Sequence, residues 1–179
     1  MNHTHSPFVL NAMSGYHLIT WTISKLSGRS ILLREISKHS KLAASASGAY
    51  FSDAFEQQDT NLQGQSALKL YHSFLKNTPA WADALLTMRN KVCHALFGLK
   101  DVGVFSQVTM HKPLEEYQPG EKLGIFTLVS IDENEVVFED NDKHLLAQFS
   151  ILKEPATNSL VLTSVVHVHN WIGRFYMLF

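Results

Sequence analysis

The most prominent pattern in the chain is a change of hydrophobic period near Gly98. Before that residue, apolar residues recur at three- and four-residue spacing, which places them on one face of a helix. After it, β-branched and aromatic residues form short segments that are separated by turn residues. The pattern therefore predicts an α+β protein in which helices precede an antiparallel sheet.

Two helices are predicted before Gly98. The first covers residues 65–77, and the second covers residues 79–97, with Thr78 as its N-cap and Gly98 after its last turn. The second helix would be about 28 Å long, which is enough to cross a whole sheet.

Five strands are predicted after Gly98, near residues 102–110, 123–131, 135–139, 145–153 and 160–169. Short turns rich in Asp, Asn and Pro separate the last four, as is typical of antiparallel neighbours. Phe149 shares one face of its strand with Leu145, but both faces of the last strands are partly apolar. We therefore expect a curved antiparallel sheet of about five to six strands, packed on the long helix and either covered on its second face or curved around a cavity.

The first 48 residues differ from the rest of the chain. Polar residues interrupt the apolar stretch at residues 8–26, and no Lys or Arg precedes it, so it matches neither a membrane span nor a signal peptide. Residues 37–48, rich in Ser, Ala and Lys, indicate a linker. We expect residues 1–48 to be an extension, either an appended helix or the product of a mis-assigned start, and residues 49–179 to be the domain.

Composition restricts the partners. Charged residues make up 17% of the chain, below the roughly 25% of an average domain, which leaves room for an exposed apolar face or a cavity. A net charge of -1 argues against nucleic acid as a partner. Cys93 is the single cysteine, which rules out an intramolecular disulfide and indicates the cytoplasm. Its apolar helical context favours a small buried core residue. No phosphate-binding glycine loop occurs, and we expect no cofactor.

The best candidates for a metal site or a catalytic site lie near the last predicted hairpin. If the last two strands pair, His144 lies close to His167 and His169, and three histidines with Asp142 would suit zinc. However, ten histidines in 179 residues also come together by chance, so we predict no metal site. Asp142 could orient the His144 imidazole for acid–base catalysis, or it could stabilise the turn at residues 140–142.

Two further residues are candidates on the long helix. Arg89 could bind a ligand carboxylate through two parallel hydrogen bonds, or it could tie the helix to the sheet. Trp81 could form an aromatic ligand wall with Tyr50, Phe51 and Phe55, or the four could simply be core.

Several motifs follow one another in a specific order and spacing. They are Tyr50-Phe51-Ser52-Asp53-Ala54-Phe55, Pro79-Ala80-Trp81, Phe97-Gly98-Leu99-Lys100, Gly120-Glu121-Lys122-Leu123-Gly124, Asp142-Lys143-His144-Leu145 and His169-Asn170 with Gly173, Arg174 and Tyr176. In this order they resemble an uncharacterised bacterial family, catalogued as a domain of unknown function and related to the START-like (SRPBCC) superfamily. The resemblance implies a helix-grip fold with a hydrophobic cavity, which in related families holds lipids, sterols or polyketides.

The chain departs from the family pattern at two places. Leu146 stands where an acidic residue usually follows the histidine motif, which weakens an acid-assisted His144. Relatives continue into a long C-terminal helix, whereas here we expect a short one, capped by Asn170. Its predicted apolar face comprises Trp171, Ile172, Phe175, Tyr176 and Phe179.

The favoured function is binding of a small hydrophobic molecule or lipid between sheet and helix, without catalysis. The predicted ligand-binding residues are Arg89, Trp81, His144, Phe149, His167 and His169. The first alternative is an enzyme of hydrolase, cyclase or isomerase type that uses His144 with Asp142 or Arg89. The second is an interaction module whose apolar C-terminal segment docks a partner or a second copy as a homodimer. No integral membrane segment is expected.

Overall fold

The computed structural model describes residues 31–58, 62, 64–76, 83–84, 87, 91, 112–123 and 126–177. Within these ranges the chain forms one seven-stranded sheet, in which every neighbouring pair is antiparallel, together with two short α-helices whose bounds are described and a 3₁₀ helix at Leu114–Glu116. The α+β class with an antiparallel sheet is therefore confirmed.

The elements follow one another in a simple order. They are β1 (Ile31–Arg34), β2 (Phe51–Gln58), α1 (Ala67–Lys76), β3 (Lys122–Leu123), β4 (Phe126–Ile131), β5 (Glu135–Asn141), β6 (Leu145–Glu154), β7 (Ser159–Val168) and α2 (Trp171–Tyr176). The order of strands across the sheet is β1-β2-β7-β6-β5-β4-β3. Strands β3 to β7 thus form a continuous meander, and the earlier strands β2 and β1 are added beside β7.

The predicted strands after residue 120 are found as β3 with β4, β5, β6 and β7, and the first predicted helix is found as α1. Strands β1 and β2 were not predicted, and the predicted strand 123–131 is divided into β3 and β4; together these differences give the seven strands described. Strand β1 is only four residues long, and β2 carries polar residues on both of its faces, so neither shows a clear hydrophobic alternation. The predicted strand at 102–110 lies outside the described residues.

Helix α1 packs on one face of the sheet, across β5 and β6. Its Tyr71 ring lies 4.0 Å from the Phe138 ring, measured between ring centroids. The strand register places Val136 and Phe138 of β5 on the same face as Ile151 of β6, and all three are buried in this cluster. The largest hydrophobic cluster of the described residues therefore lies between α1 and the sheet.

The opposite face of the sheet is covered by residues 36–49, a run of turns that follows β1. Leu42 packs against Val137 and Val165, and Ile36 packs against the cluster that contains Leu152. The strands carry apolar residues on both faces, as the sequence indicates, and both faces are covered. Residues 31–48, assigned to the extension from sequence, therefore contribute an edge strand and this second layer.

The predicted long helix is described at four positions only. Asp83, Ala84, Thr87 and Lys91 are helical, and the Thr87 hydroxyl donates to the Asp83 carbonyl at 2.8 Å. Trp81, Arg89 and the length of this helix lie outside the described residues.

Helix α2 begins at the predicted N-cap, because the Asn170 side chain accepts a hydrogen bond from the Gly173 N–H. Gly173 is buried, and a Cβ built on it would lie 2.3 Å from the His144 carbonyl oxygen. Trp171 is 71% exposed and Phe175 is 38% exposed. Two residues of the predicted apolar face are thus exposed, and the close approach of Gly173 decides which side of α2 meets the domain.

Candidate functional site

Half-buried apolar side chains lie beside the α1 cluster on the same face of the sheet. This aromatic face consists of Phe51, Phe55, Phe126, Phe149 and Leu162. The register places Phe55 opposite Leu162, and the Phe126 and Phe149 rings lie 5.1 Å apart. Four strands of the sheet thus contribute to one surface, and Phe149 is the member predicted as a ligand contact.

Two polar residues are interspersed with this aromatic face. Asp53 lies between Phe51 and Phe55 along β2 and is paired with Ser164 of β7, which in turn is paired with Phe149 of β6. Since directly paired residues share a face, the carboxylate and the hydroxyl belong to the same surface as the aromatic rings. Small-molecule sites commonly have this composition, with many apolar groups and a few polar groups that orient the ligand.

Asp142 stabilises the turn between β5 and β6. Its Oδ1 atom accepts hydrogen bonds from the main-chain N–H of His144 at 2.6 Å and of Leu145 at 2.9 Å. This is the turn role that the sequence allowed, because a short carboxylate side chain can bond to the backbone two or three residues later. The His144 imidazole instead contacts Asn170.

The contact with Asn170 determines which nitrogen of His144 carries a proton. Asn170 Nδ2 donates to the Lys143 carbonyl at 2.8 Å, and Asn170 Oδ1 accepts from the Gly173 N–H at 3.2 Å. His144 Nδ1 lies 3.2 Å from the same Oδ1 atom, which can only accept, so Nδ1 must donate. In neutral His144 the lone pair is therefore on Nε2, and the ring itself is buried.

The three candidate histidines have separate environments. His169 is joined to the turn through the backbone, since its N–H donates to the His144 carbonyl at 2.8 Å and its Nδ1 donates to the Asp142 carbonyl at 3.1 Å. His167 is paired with Leu146, and its Nε2 lies 3.2 Å from the Ser45 hydroxyl in the second layer. In the part of the chain that is described, no three His, Cys, Asp or Glu side chains are grouped as metal ligands.

An open cleft of about 980 Å³ lies at the other end of the sheet, between residues 34–41 and two hairpin turns. Arg34 bonds to Glu56 at 2.9 Å and to Glu154 at 3.0 Å, and the hydrogen bond to Glu154 is the largest of the effects that raise the pKa of the guanidinium. Buried Lys153 bonds to Glu133 at 3.0 Å. Charged residues are numerous in the lining of the cleft, and these charged groups bond to one another across it.

Sequence reasoning missed three contacts of the predicted site residues. Asn170 was predicted as an N-cap, but its contact with His144 depends on the hairpin that brings β6 and β7 together. Ser45 lies 122 residues from His167, and no local pattern connects them. Phe126 contacts Phe149 only because the sheet register aligns β4 with β6 across β5.

These features define an α+β protein built on one antiparallel sheet with both faces covered. The chain belongs to the family described as "Protein of unknown function (DUF2867)", which matches residues 45–179. No curated protein and no solved structure matches the chain. Among the described helices, none combines the length and the apolar character needed to cross a bilayer.

Proposed function

We propose that this protein binds a small hydrophobic molecule or lipid on the aromatic face. The observation that carries the proposal is a contrast between two residues that lie directly opposite each other. Phe138 of β5 is 1% exposed, whereas its partner Phe149 of β6 is only half-buried. A large aromatic side chain gains free energy from complete burial, so Phe149 retains surface that a ligand could cover.

The composition of the aromatic face supports a ligand with an apolar body and at least one polar group. The rings of Phe126 and Phe149 would contact the apolar body, and Ser164, beside Phe149, offers a hydroxyl to a polar group. The proposal also includes Arg89 and Trp81, the two predicted ligand contacts on the long helix, whereas His167 lies on the opposite face of the sheet. We further propose that the protein is related to the START-like superfamily and that it is located in the cytoplasm.

Native mass spectrometry of the purified protein, followed by organic extraction, tests the proposal directly. We expect a co-purifying apolar molecule, seen as a mass increment that disappears after extraction. Protein that emerges empty, and that then fails to bind a fluorescent fatty acid such as cis-parinaric acid, would contradict it.

A pair of variants on strand β6 tests the location. Phe149→Ala should weaken binding of cis-parinaric acid about tenfold or more, because the aromatic contact with the ligand is lost. Leu146→Ala is the matched control, since Leu146 is half-buried on the other face of the same strand. Equal weakening by both variants would place the ligand elsewhere.

A second candidate is an acid–base enzyme, and the bond between His144 and Asn170 favours it. That bond orients the imidazole and directs the lone pair to Nε2, as a general base requires. Asp142 is a weaker partner for this role, because its Oδ1 is bonded to the backbone. If a turnover is found, His144→Ala should abolish it and Asn170→Ala should lower it, while unchanged turnover in His144→Ala would exclude this function.

A further inference from the structure

An exposed leucine extends the aromatic face to the edge of the sheet. Leu33 of β1 is 51% exposed and lies directly opposite Phe55 of β2, which lies directly opposite Leu162 of β7. Directly paired residues share a face, so Leu33 belongs to the same surface as the aromatic face. Phe55 and Leu162 are half-buried, so the three side chains form one strip of incompletely buried apolar surface across three strands.

The apolar strip continues from Leu162 to the aromatic pair of β4 and β6. Leu162 is two residues from Ser164, the partner of Phe149, so the Leu162 and Phe149 side chains are diagonal neighbours roughly 7–8 Å apart. The Phe149 ring in turn lies 5.1 Å from the Phe126 ring. Between Leu33 and Phe149 the strip crosses three strand spacings, which amount to about 14 Å.

On β2 the apolar strip is only one side chain wide. Side chains two residues apart in a strand share a face, so Phe55 lies between Asp53 and Gln57 on the aromatic face. A flat ring system that extended beyond Phe55 on both sides would also cover a carboxylate and an amide, and burying such groups without hydrogen bonds costs free energy. A single hydrocarbon chain would cover Phe55 without covering its two polar neighbours.

Strand β1 is held to the sheet by contacts on its other face. Arg34 bonds to Glu56 at 2.9 Å and to Glu154 at 3.0 Å. Because successive side chains of a strand alternate between faces, the Leu33 side chain takes no part in these ion pairs. Its position opposite Phe55 therefore does not depend on its own side chain, and a substitution of Leu33 should leave the strand in place.

We propose that the ligand of the aromatic face is a long single-chain amphiphile, whose hydrocarbon chain crosses the strands along the apolar strip and ends at Leu33. This inference rests on the proposed function, and it adds the class of the ligand and its orientation. The polar group lies at Ser164, and the chain runs over Leu162 and Phe55 to the edge of the sheet. Each methylene group that the strip covers strengthens binding, so affinity rises with chain length until the chain passes Leu33.

Displacement of cis-parinaric acid by neutral primary alcohols tests the proposal. A neutral head group keeps the comparison independent of the charges of Asp53 and Asp140, two carboxylates on the same face. Dodecanol is long enough to reach Leu33 from Ser164, whereas hexanol is not. Leu33→Ser should therefore weaken binding of dodecanol about tenfold or more, and binding of hexanol by less than about twofold.

Leu32→Ser is the matched control. Leu32 is the neighbouring residue and is 60% exposed, but it lies opposite Glu56 on the other face of β1, so its substitution should change the binding of neither alcohol. Phe149→Ala should weaken binding of both alcohols, since both contact the aromatic pair. Wild-type protein that binds no apolar probe contradicts the proposed function, whereas binding that does not depend on Leu33 contradicts only the class and orientation of the ligand.

A photoreactive dodecanol analogue locates the end of the chain. With a diazirine at its terminal carbon, it should label the peptide that contains Leu33, and labelling confined to β4 and β5 would overturn the orientation. Displacement of cis-parinaric acid by the sterol dehydroergosterol at a lower concentration than by dodecanol would overturn the class of ligand. A dimer that Leu33→Ser dissociates, with dodecanol binding unchanged, would show that Leu33 belongs to an interface between two copies of the chain instead.

Discussion

The hydroxyl of Ser40 donates a hydrogen bond of 2.7 Å to Glu135, which lies 95 residues later in the chain. The main-chain N–H of Lys41 donates to the other carboxylate oxygen at 2.9 Å. Glu135 is 2% exposed, and a carboxylate so deeply buried is tolerated only when donors satisfy it. These two hydrogen bonds therefore attach the second layer, residues 36–49, to Glu135, the first residue of β5.

Ser40→Ala should lower the free energy of unfolding by about 1–3 kcal/mol, because a buried carboxylate loses one of its donors. Urea denaturation followed by circular dichroism measures the change. Ser47→Ala is the matched control, since Ser47 is exposed in the same layer, and its effect should stay within about 0.5 kcal/mol. Similar effects of both substitutions would show that the buried contact contributes little.

The stability should depend on pH through Glu154. Burial acts to raise the pKa of this carboxyl, but hydrogen bonds from Ser37 at 2.7 Å and Arg34 at 3.0 Å outweigh burial, so the pKa is lowered from its ordinary value of 4.5. A group whose pKa is lower in the folded protein contributes stability that is present above its unfolded pKa. That contribution is lost as the pH falls through the folded pKa.

Glu154→Gln should therefore be less stable than wild type at neutral pH, and the two unfolding free energies should converge as the pH falls below the ordinary carboxyl pKa of 4.5 and through the lower folded pKa. Urea titrations at several pH values measure both curves. In an Arg34→Met background the same substitution should change the pH dependence less. Parallel wild-type and Glu154→Gln curves over the whole range would contradict the role of this carboxyl.

Gly173→Ala should destabilise the protein by about 1–3 kcal/mol, because the new methyl group would meet the His144 carbonyl oxygen, a backbone atom that cannot move away easily. We also expect the Asn170 contact to His144 to be disturbed, which a histidine ring signal in NMR spectra would report. Arg174→Ala changes an exposed neighbour in the same helix and should be nearly neutral. An unfolding midpoint unchanged by Gly173→Ala would show that α2 can shift outward freely.

Tyr71→Phe should leave the stability unchanged or raise it by up to about 1–2 kcal/mol. Burial raises the pKa of the Tyr71 hydroxyl well above its usual range, and within the described ranges its oxygen has no hydrogen-bond partner. Removing the hydroxyl keeps the ring contact with Phe138. Tyr71→Ala should instead cost about 3–5 kcal/mol, and thermal and urea unfolding of both variants separates the two effects.

The parts of the fold that depend on local pattern were predictable from the sequence. The periodicity of α1, the turn residues between β5 and β6, and the N-cap at Asn170 each act over a few residues, so each is visible in a short window. Strand β2 was missed because Asp53 and Glu56 place charge on both faces, and its strand conformation depends on pairing with β1 and β7. Phe149 was predicted as a ligand contact, and that role stays a prediction.

The sequence by itself determined the α+β class, the run of antiparallel hairpins and the position of the turn between β5 and β6, because hydrophobic period and turn chemistry are local properties. Only the tertiary structure decided that residues 36–49 cover the second face, that Asn170 orients His144, and that Gly173 turns Trp171 and Phe175 toward solvent. Each of these relationships joins residues through the strand register or through a close backbone approach. Distant residues meet there by virtue of packing, which no short stretch of sequence encodes.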